Sequence, residues 1–393
     1  MPDELPQPFV ADDDIGGWYL MLAEAFVDHI ADYEPAQGSR VVPLFKVMGR
    51  DFDLLMSIEG VEERARRMLS TERGQPDGAM FELITALAYR RDGWPAVRFL
   101  QEHPGVARVP DFEVVGPQGK WTVECKRIGR SEYSRNERDQ FWRLWRGAIP
   151  VIQNGKVSIF FDLDFRREVK EVPDSYLHDL STRIIKNGAA ITVDDEWATG
   201  RVSWTDLGPI QEFLKHDVVL YPSRRLSELL IGQFDRLASY AGAYICKPWQ
   251  DNARYIDKLD VATIARWKCS APASIRAKAR HFLRQIADAN HQLNGYGPSI
   301  IHIGLEVMEG SGVEAARRPR IMQMVRDFNP RQTDLHWIYI HYFVYESPPE
   351  VAWVMEETTD WFAMKWPPGP IPRGAVYLVI PSESETVPNP WDS

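Results

Sequence analysis

A chain of 393 residues, 44% hydrophobic and 26% charged, can bury a large core and has the composition of a soluble globular protein of one elaborated domain or two. A formal net charge of −10 excludes a surface coated in positive charge for non-specific nucleic-acid binding, while leaving room for a local basic groove. Three scattered cysteines, Cys125, Cys246 and Cys269, exclude a disulfide framework and a CxxC zinc site and fit a reducing compartment. The opening "MPDELPQPFVADDD" has no basic, apolar leader, and no apolar run approaches the roughly 20 residues that span a bilayer, so the expectation is a cytoplasmic protein without membrane association.

Residues 1–14 read as a loose acidic tail and 15–73 as a helical region, with "WYLMLAEAFVDHIADY" and the charged "GVEERARRMLSTER" at helical spacing. "GQPDG" at 74–78 marks a boundary. "AMFELITALAYRRDGW" is a strong short helix ended by Asp92-Gly93, followed by three strand-like runs, "AVRFL", "RVPDFEVV" and "KWTVECKR". "SEYSRNERDQFWRLWRGA" then reads as a helix, "KVSIFFDLDF" as a strand and "PDSYLHDLSTRIIKNG" as a helix. Residues 190–260 are mixed, with short strands at "AAITV" and "DVVLYP" and a helix near "RRLSELLIGQF".

"SIRAKARHFLRQIADANHQLNG" is a helix with Ser274 as N-cap and Gly295 as stop. "PSIIHIGLEV" is a buried strand, "ARRPRIMQMVRDF" a helix and "LHWIYIHYFVYE" a strand. The Pro-rich end carries one late strand, "AVYLVI", in a C-terminal extension over 346–393. Helices and strands alternate without internal repeats, so the class is α/β or mixed α+β.

The chemistry concentrates in "VPDFEVVGPQGKWTVECKR". Side chains alternate between faces along a strand, so Thr122, Glu124 and Lys126 share one face while Trp121, Val123 and Cys125 share the core face. On the preceding run Asp111 and Glu113 share a face. If the two runs pair, Asp111, Glu124 and Lys126 converge at one end of the sheet. Two close carboxylates repel unless a cation lies between them, and an all-oxygen set suits Mg²⁺ or Mn²⁺.

This arrangement resembles the PD-(D/E)xK nuclease superfamily, the restriction-endonuclease-like fold. Pro110-Asp111 matches its first element and Glu124-Cys125-Lys126 its second, with Glu82 on the preceding helix as a third carboxylate; together they cover about residues 79–127. The pattern alone is weak, because Pro-Asp occurs at four places, but only this copy sits on two adjacent strand-like runs. The resemblance implies a central mixed sheet flanked by helices over 74–345, with an insertion of about 130–270. It also implies a metal site of Asp111, Glu124, Glu82 and the Cys125 backbone carbonyl, Lys126 as the residue that orients or activates water, and hydrolysis of phosphodiester bonds. DNA is favoured over RNA, and such domains serve restriction, phage defence or repair, as homodimers or with a licensing partner. The core closes either with the Ser274 helix and "SIIHIGLEV", which is favoured, or with "SEYSRNERDQFWRLWRGA" and "KVSIFFDL".

Plainer readings stand beside these. Glu124 and Lys126 form a surface charge pair if that face of the hairpin is solvated, and Glu82 is a helix-face carboxylate near Arg90 or Arg91. Residues 120–146 carry eight Lys or Arg against four Asp or Glu, with Tyr133, Phe141, Trp142 and Trp145 interleaved. Arg127, Arg130, Arg135 and Arg138 are therefore candidates for nucleic-acid contacts, as is Lys278 on a second basic helix face; the alternative is an amphipathic helix with core aromatics. His302 reads as a core histidine, and His336 and His341 as a poor metal pair.

Overall fold

The computed structural model of the protein describes residues 14–28, 33, 35–101, 109–116, 119–129, 132–221, 223, 224–232, 235, 238–251, 255–307, 311–331, 333–346, 354–365 and 377–379. It is a mixed α/β structure with two mixed sheets flanked by helices. The chain divides into two compact units. The first comprises residues 1–129, 282–306 and 322–393, and the second residues 130–281 and 307–321. The expected tail over 1–14 lies, apart from Asp14, outside the described residues.

The first unit holds a six-stranded sheet. Three strands come from the region singled out in the sequence: β1 (Ala96–Phe99), β2 (Phe112–Gly116) and β3 (Gly119–Ile128), paired antiparallel in that order. Next to β3 lies β10 (Ser299–Glu306), in parallel, then β11 (Leu335–Glu346), also parallel, then β12 (Val354–Ala363), antiparallel. Of the two ways to close the sheet, the later one is realised: β3 pairs with "SIIHIGLE", whose every residue is buried. That run is the continuous apolar pattern of a strand covered on both faces. A parallel neighbour requires a crossover connection. Here that connection leaves after β3 and returns through α10 (Pro272–Gln292), whose residues from Phe282 onward belong to the first unit.

Helices α1 (Ile15–Asp28), α2 (Pro35–Arg50), α3 (Phe52–Met56), α4 (Val61–Leu69) and α5 (Asp77–Arg91) contribute to one hydrophobic core with this sheet, including Leu22, Val41, Leu55, Val61, Met80, Val123 and Tyr339. Residues 15–73 are thus part of the same unit as the hairpin and share its core. The C-terminal region likewise supplies an edge strand, β12, which the polar run "EETTD" hid from the sequence reading. The expected strand "AVYLVI" is described only at 377–379, which is not a strand there. The amides of Leu378 and Val379 instead donate to the Glu357 carboxylate, each at 2.8 Å, and Arg91 donates to the carbonyls of Tyr377 and Leu378.

The second unit is built on β5 (Ile191–Asp194), β6 (Ala198–Trp204), β4 (Ile159–Phe165), β9 (Tyr255–Cys269) and β7 (Val219–Leu220), in that sheet order, with β8 (Ser239–Pro248) paired to β9. Its core includes residues of α6 (Glu132–Gly155) and α7 (Tyr176–Asn187), with Phe141, Trp145, Phe161 and Phe165 fully enclosed. Helices α8 (Gly208–Phe213) and α9 (Arg224–Ile231) pack a smaller cluster through Ile210, Leu226 and Leu230. Helix α11 (Ser311–Asp327) follows β10. Ser274 is not an N-cap: α10 begins at Pro272, and the Ser274 hydroxyl donates to Glu137 at 2.5 Å. Among the described residues no helix is long and apolar enough to cross a membrane.

The placement of α5 against the sheet depends on Gly304. A Cβ built there would lie 2.7 Å from the Phe81 ring, closer than packed carbons approach. Gly304→Ala is expected to destabilise the protein by about 1–3 kcal/mol. The double variant with Phe81→Leu should regain part of that loss in urea denaturation. An unchanged midpoint for Gly304→Ala would contradict the close approach.

Candidate active site

The candidate site is built where the chain enters β2, alongside β3. The β2–β3 ladder pairs Phe112, the first residue of β2, with Val123, so the next amide on that edge of β3, that of Cys125, lies beyond the ladder. Asp111 takes it: its Oδ2 accepts the Cys125 N–H at 2.6 Å. A side-chain carboxylate thus stands where a longer strand would offer a carbonyl. Both backbone polar groups of a strand residue point to the same edge, so the Cys125 carbonyl faces the Asp111 side as well. The Cys125 side chain packs into the hydrophobic core, and burial pushes its thiol well above the ordinary range.

Glu124 projects to the opposite face. Its side chain is 0% exposed. Oε1 accepts from the Lys126 ammonium, whereas Oε2 is buried without a hydrogen-bond partner. Burial is the largest influence on this carboxyl and, with the nearby Glu82 charge, outweighs the help of Lys126 and pushes it up to about 7. Asp111 is held well above the usual carboxylate range, first by burial and then by the charges of Glu82 and Glu124. Lys126 loses solvation too, but the charge and hydrogen bond of Glu124 and the charge of Asp111 hold its ammonium above the ordinary lysine value. A second Lys126 donor goes to Gln292 Oε1 on α10, at 2.6 Å. An ammonium has three donors, so one remains for a ligand.

The sequence therefore places Asp111, Glu124 and Lys126 as the structure brings them together. Glu82 is near enough to act on both carboxylates electrostatically, but its direct partner is neither Arg90 nor Arg91. Both its oxygens are taken by Arg64 on α4, Oε2 at 2.5 Å and Oε1 at 2.8 Å. Arg64 also donates to Glu72 at 2.7 Å, and Arg67 holds the other Glu72 oxygen. Arg64 and Gln292 are missed by sequence reasoning. For Arg64 a signal existed: it falls in the stripe Val61, Arg64, Met68, where an apolar residue is expected. Nothing in residue type marks Gln292. Glu113 is a neighbour with its own partners, Arg98 at 2.7 Å and Lys120.

Among the described residues no group of three or more His, Cys, Asp or Glu side chains is spaced to hold a metal ion. Two carboxylates and a carbonyl do fit a hard cation. Mg²⁺ takes oxygen ligands and commonly uses one or two carboxylates, keeping water for the rest. The buried, unpartnered Glu124 Oε2 is the atom that such a cation would satisfy.

Two basic candidates need correction. Arg127 is not available to a phosphate: its side chain is 7% exposed, it donates to Glu306 at 2.8 Å and its guanidinium stacks on Phe343 at 4.8 Å. Lys278 is equally enclosed, paired with Glu137 at 2.7 Å. Arg135 is exposed on α6 and Arg138 is half-buried, while Arg130 lies outside the described residues. Of the interleaved aromatics, Phe141 and Trp145 are core, Tyr133 donates to Glu168 and Trp142 is exposed. His302 is a core histidine, bonded to Tyr89 and to His341 rather than to solvent.

No protein-family model, curated protein or solved structure matches this chain.

Two outcomes follow for stability. The raised Glu124 value means that the folded protein binds that proton more tightly than the unfolded chain does. Cation-free protein therefore loses stability as pH rises from about 4.5 through about 7. In EDTA, Glu124→Gln should melt above wild type at pH 8, with the gap closing toward pH 5; a lower melting temperature at pH 8 would contradict this. Lys278→Ala, which leaves Glu137 as an unpaired buried charge, should cost about 3–5 kcal/mol in urea denaturation. A loss under about 1 kcal/mol would return Lys278 to the surface role.

Proposed function

We propose that this protein is a metal-dependent nuclease that hydrolyses phosphodiester bonds of nucleic acid, with DNA the favoured substrate. The observation that carries this reading is the buried, unpartnered Glu124 oxygen, on a strand whose next amide fixes Asp111 and whose next same-face side chain is Lys126. That set resembles the PD-(D/E)xK pattern in both order and spacing. Asp111 and Glu124 would hold Mg²⁺ or Mn²⁺, which would supply Lewis-acid polarisation of a scissile phosphate and a more acidic bound water.

The chain's own residues do the rest. The Cys125 N–H donates to one Asp111 oxygen and so holds the carboxylate in place, leaving the other oxygen to act. Glu124, buried and close to Asp111, gives negative charge that only a cation or a proton relieves. Lys126 holds its proton, so it serves as a donor and positive charge rather than as a base. Its remaining N–H can orient the attacking water or a phosphate oxygen, while Gln292 and Glu124 keep Nζ in place. Exposed basic side chains such as Arg135 remain for phosphate contacts, and the roles in restriction, phage defence or repair follow from the resemblance alone.

The test is cleavage of supercoiled plasmid, linear duplex, single-stranded DNA and RNA by the full chain, each in Mg²⁺, Mn²⁺ and EDTA. Cutting is expected with either metal and not in EDTA. Asp111→Asn, Glu124→Gln and Lys126→Ala should each lower the rate by about a hundredfold or more. Full activity in any of the three variants would overturn the assignment. Metal binding by wild type without cutting of any substrate would favour a silent binding subunit.

A further inference from the structure

Glu82 is the third carboxylate near Asp111 and Glu124, and it acts on both through its charge. What it does there is decided by Arg64. The guanidinium meets Glu82 in a fork, with Nε on one oxygen and Nη2 on the other. Such a bidentate pair is among the stronger and more directional contacts that a carboxylate makes. The Arg64 side chain is 9% exposed. Its remaining amino group is also engaged, by Glu72, and Arg67 holds Glu72 from the far side. Arg64 cannot shed its proton, and swinging away would leave a buried charge behind.

On the nuclease reading above, we propose that Arg64 sets the cation stoichiometry of the site: by holding both oxygens of Glu82 it limits Asp111, Glu124 and Glu82 to a single divalent cation. Three carboxylates opposed by Lys126 and Arg64 leave one net negative charge, so one dication already takes the set to one net positive charge and a second would take it to three. A second cation beside the first, at the roughly 4 Å of two-metal sites, needs a further carboxylate, and the candidate at hand is Glu82. Arg64 therefore acts as a positioning residue. A lysine in its place would keep the charge but not the planar fork, and would release one Glu82 oxygen.

Mn²⁺ titration of the full chain, followed by the electron paramagnetic resonance of free Mn²⁺ and without nucleic acid, tests this. Wild type is expected to bind one ion, Arg64→Gln two, and Arg64→Gln with Glu82→Gln one again. Arg64→Lys should show a second site weaker than that of Arg64→Gln. One ion in both wild type and Arg64→Gln, or two in wild type, would overturn this inference while leaving the proposed function standing. No ion bound by wild type would overturn both. Should Arg64→Gln fail to fold, the Arg64 Nε–H resonance of wild-type protein decides. It should keep its position on saturation with Mg²⁺, because Glu82 stays on the guanidinium; movement to the position seen in Glu82→Gln would overturn the proposal.

Discussion

Glu124 is an acid buried in the middle of a six-stranded sheet, and much of the first unit is arranged around that fact. Burying a carboxylate is costly unless it is paired and hydrogen-bonded. Here one oxygen has Lys126 and the other has nothing. Asp111, one strand over, adds a second charge that the Cys125 amide holds in place. The hairpin, the later strand β10 that encloses β3, and the helix residue Gln292 that steadies Lys126 all serve to keep this unfavourable arrangement intact. Local strain of this kind is retained in proteins mainly where chemistry uses it.

Another buried carboxylate in the same unit is neutralised by two arginines. Glu306 accepts from both Arg40 and Arg127, and these arginines hold its carboxyl below the usual range despite burial. On the core face of the sheet, Tyr89, His302, His341 and Glu357 form a continuous chain of hydrogen bonds. Glu357 accepts from two backbone amides, so His341 Nδ1–H donates to it, His302 Nδ1–H donates to His341, and the Tyr89 hydroxyl donates to His302. Burial, with the neighbouring His341, keeps His302 neutral in that chain. The hydrogen-bond chain ties α5, β10, β11 and β12 together. Glu124 differs from Glu306 and Glu357 in having a buried carboxylate oxygen without a hydrogen-bond partner.

How much of this was readable from sequence depends on whether the signal is local. The alternation in "KWTVECKR" put Glu124 and Lys126 on one face and Cys125 on the other, because a strand's period is fixed by geometry. "SIIHIGLE" was recognisable as a closing strand because strands covered on both faces are apolar throughout. Strand β9 was missed since Asp257, Lys258 and Asp260 break its early pattern, and β12 because its central run, Glu356 to Asp360, is polar. Arg127 and Lys278 look the same in sequence as solvated cations; their partners lie 179 and 141 residues away, and only the tertiary fold supplies them. Glu82 was legible as a carboxylate near the site, but its fork with Arg64 was not, because the two lie on different helices.

The most direct test of the central claim is the position of a bound cation, read from the anomalous signal of Mn²⁺ in crystals of the wild-type protein. The account expects a peak about 2.1 Å from oxygens of both Asp111 and Glu124, with Glu82 still on Arg64. A peak elsewhere, or none with Glu124 still paired only to Lys126 at saturating Mn²⁺, would contradict it.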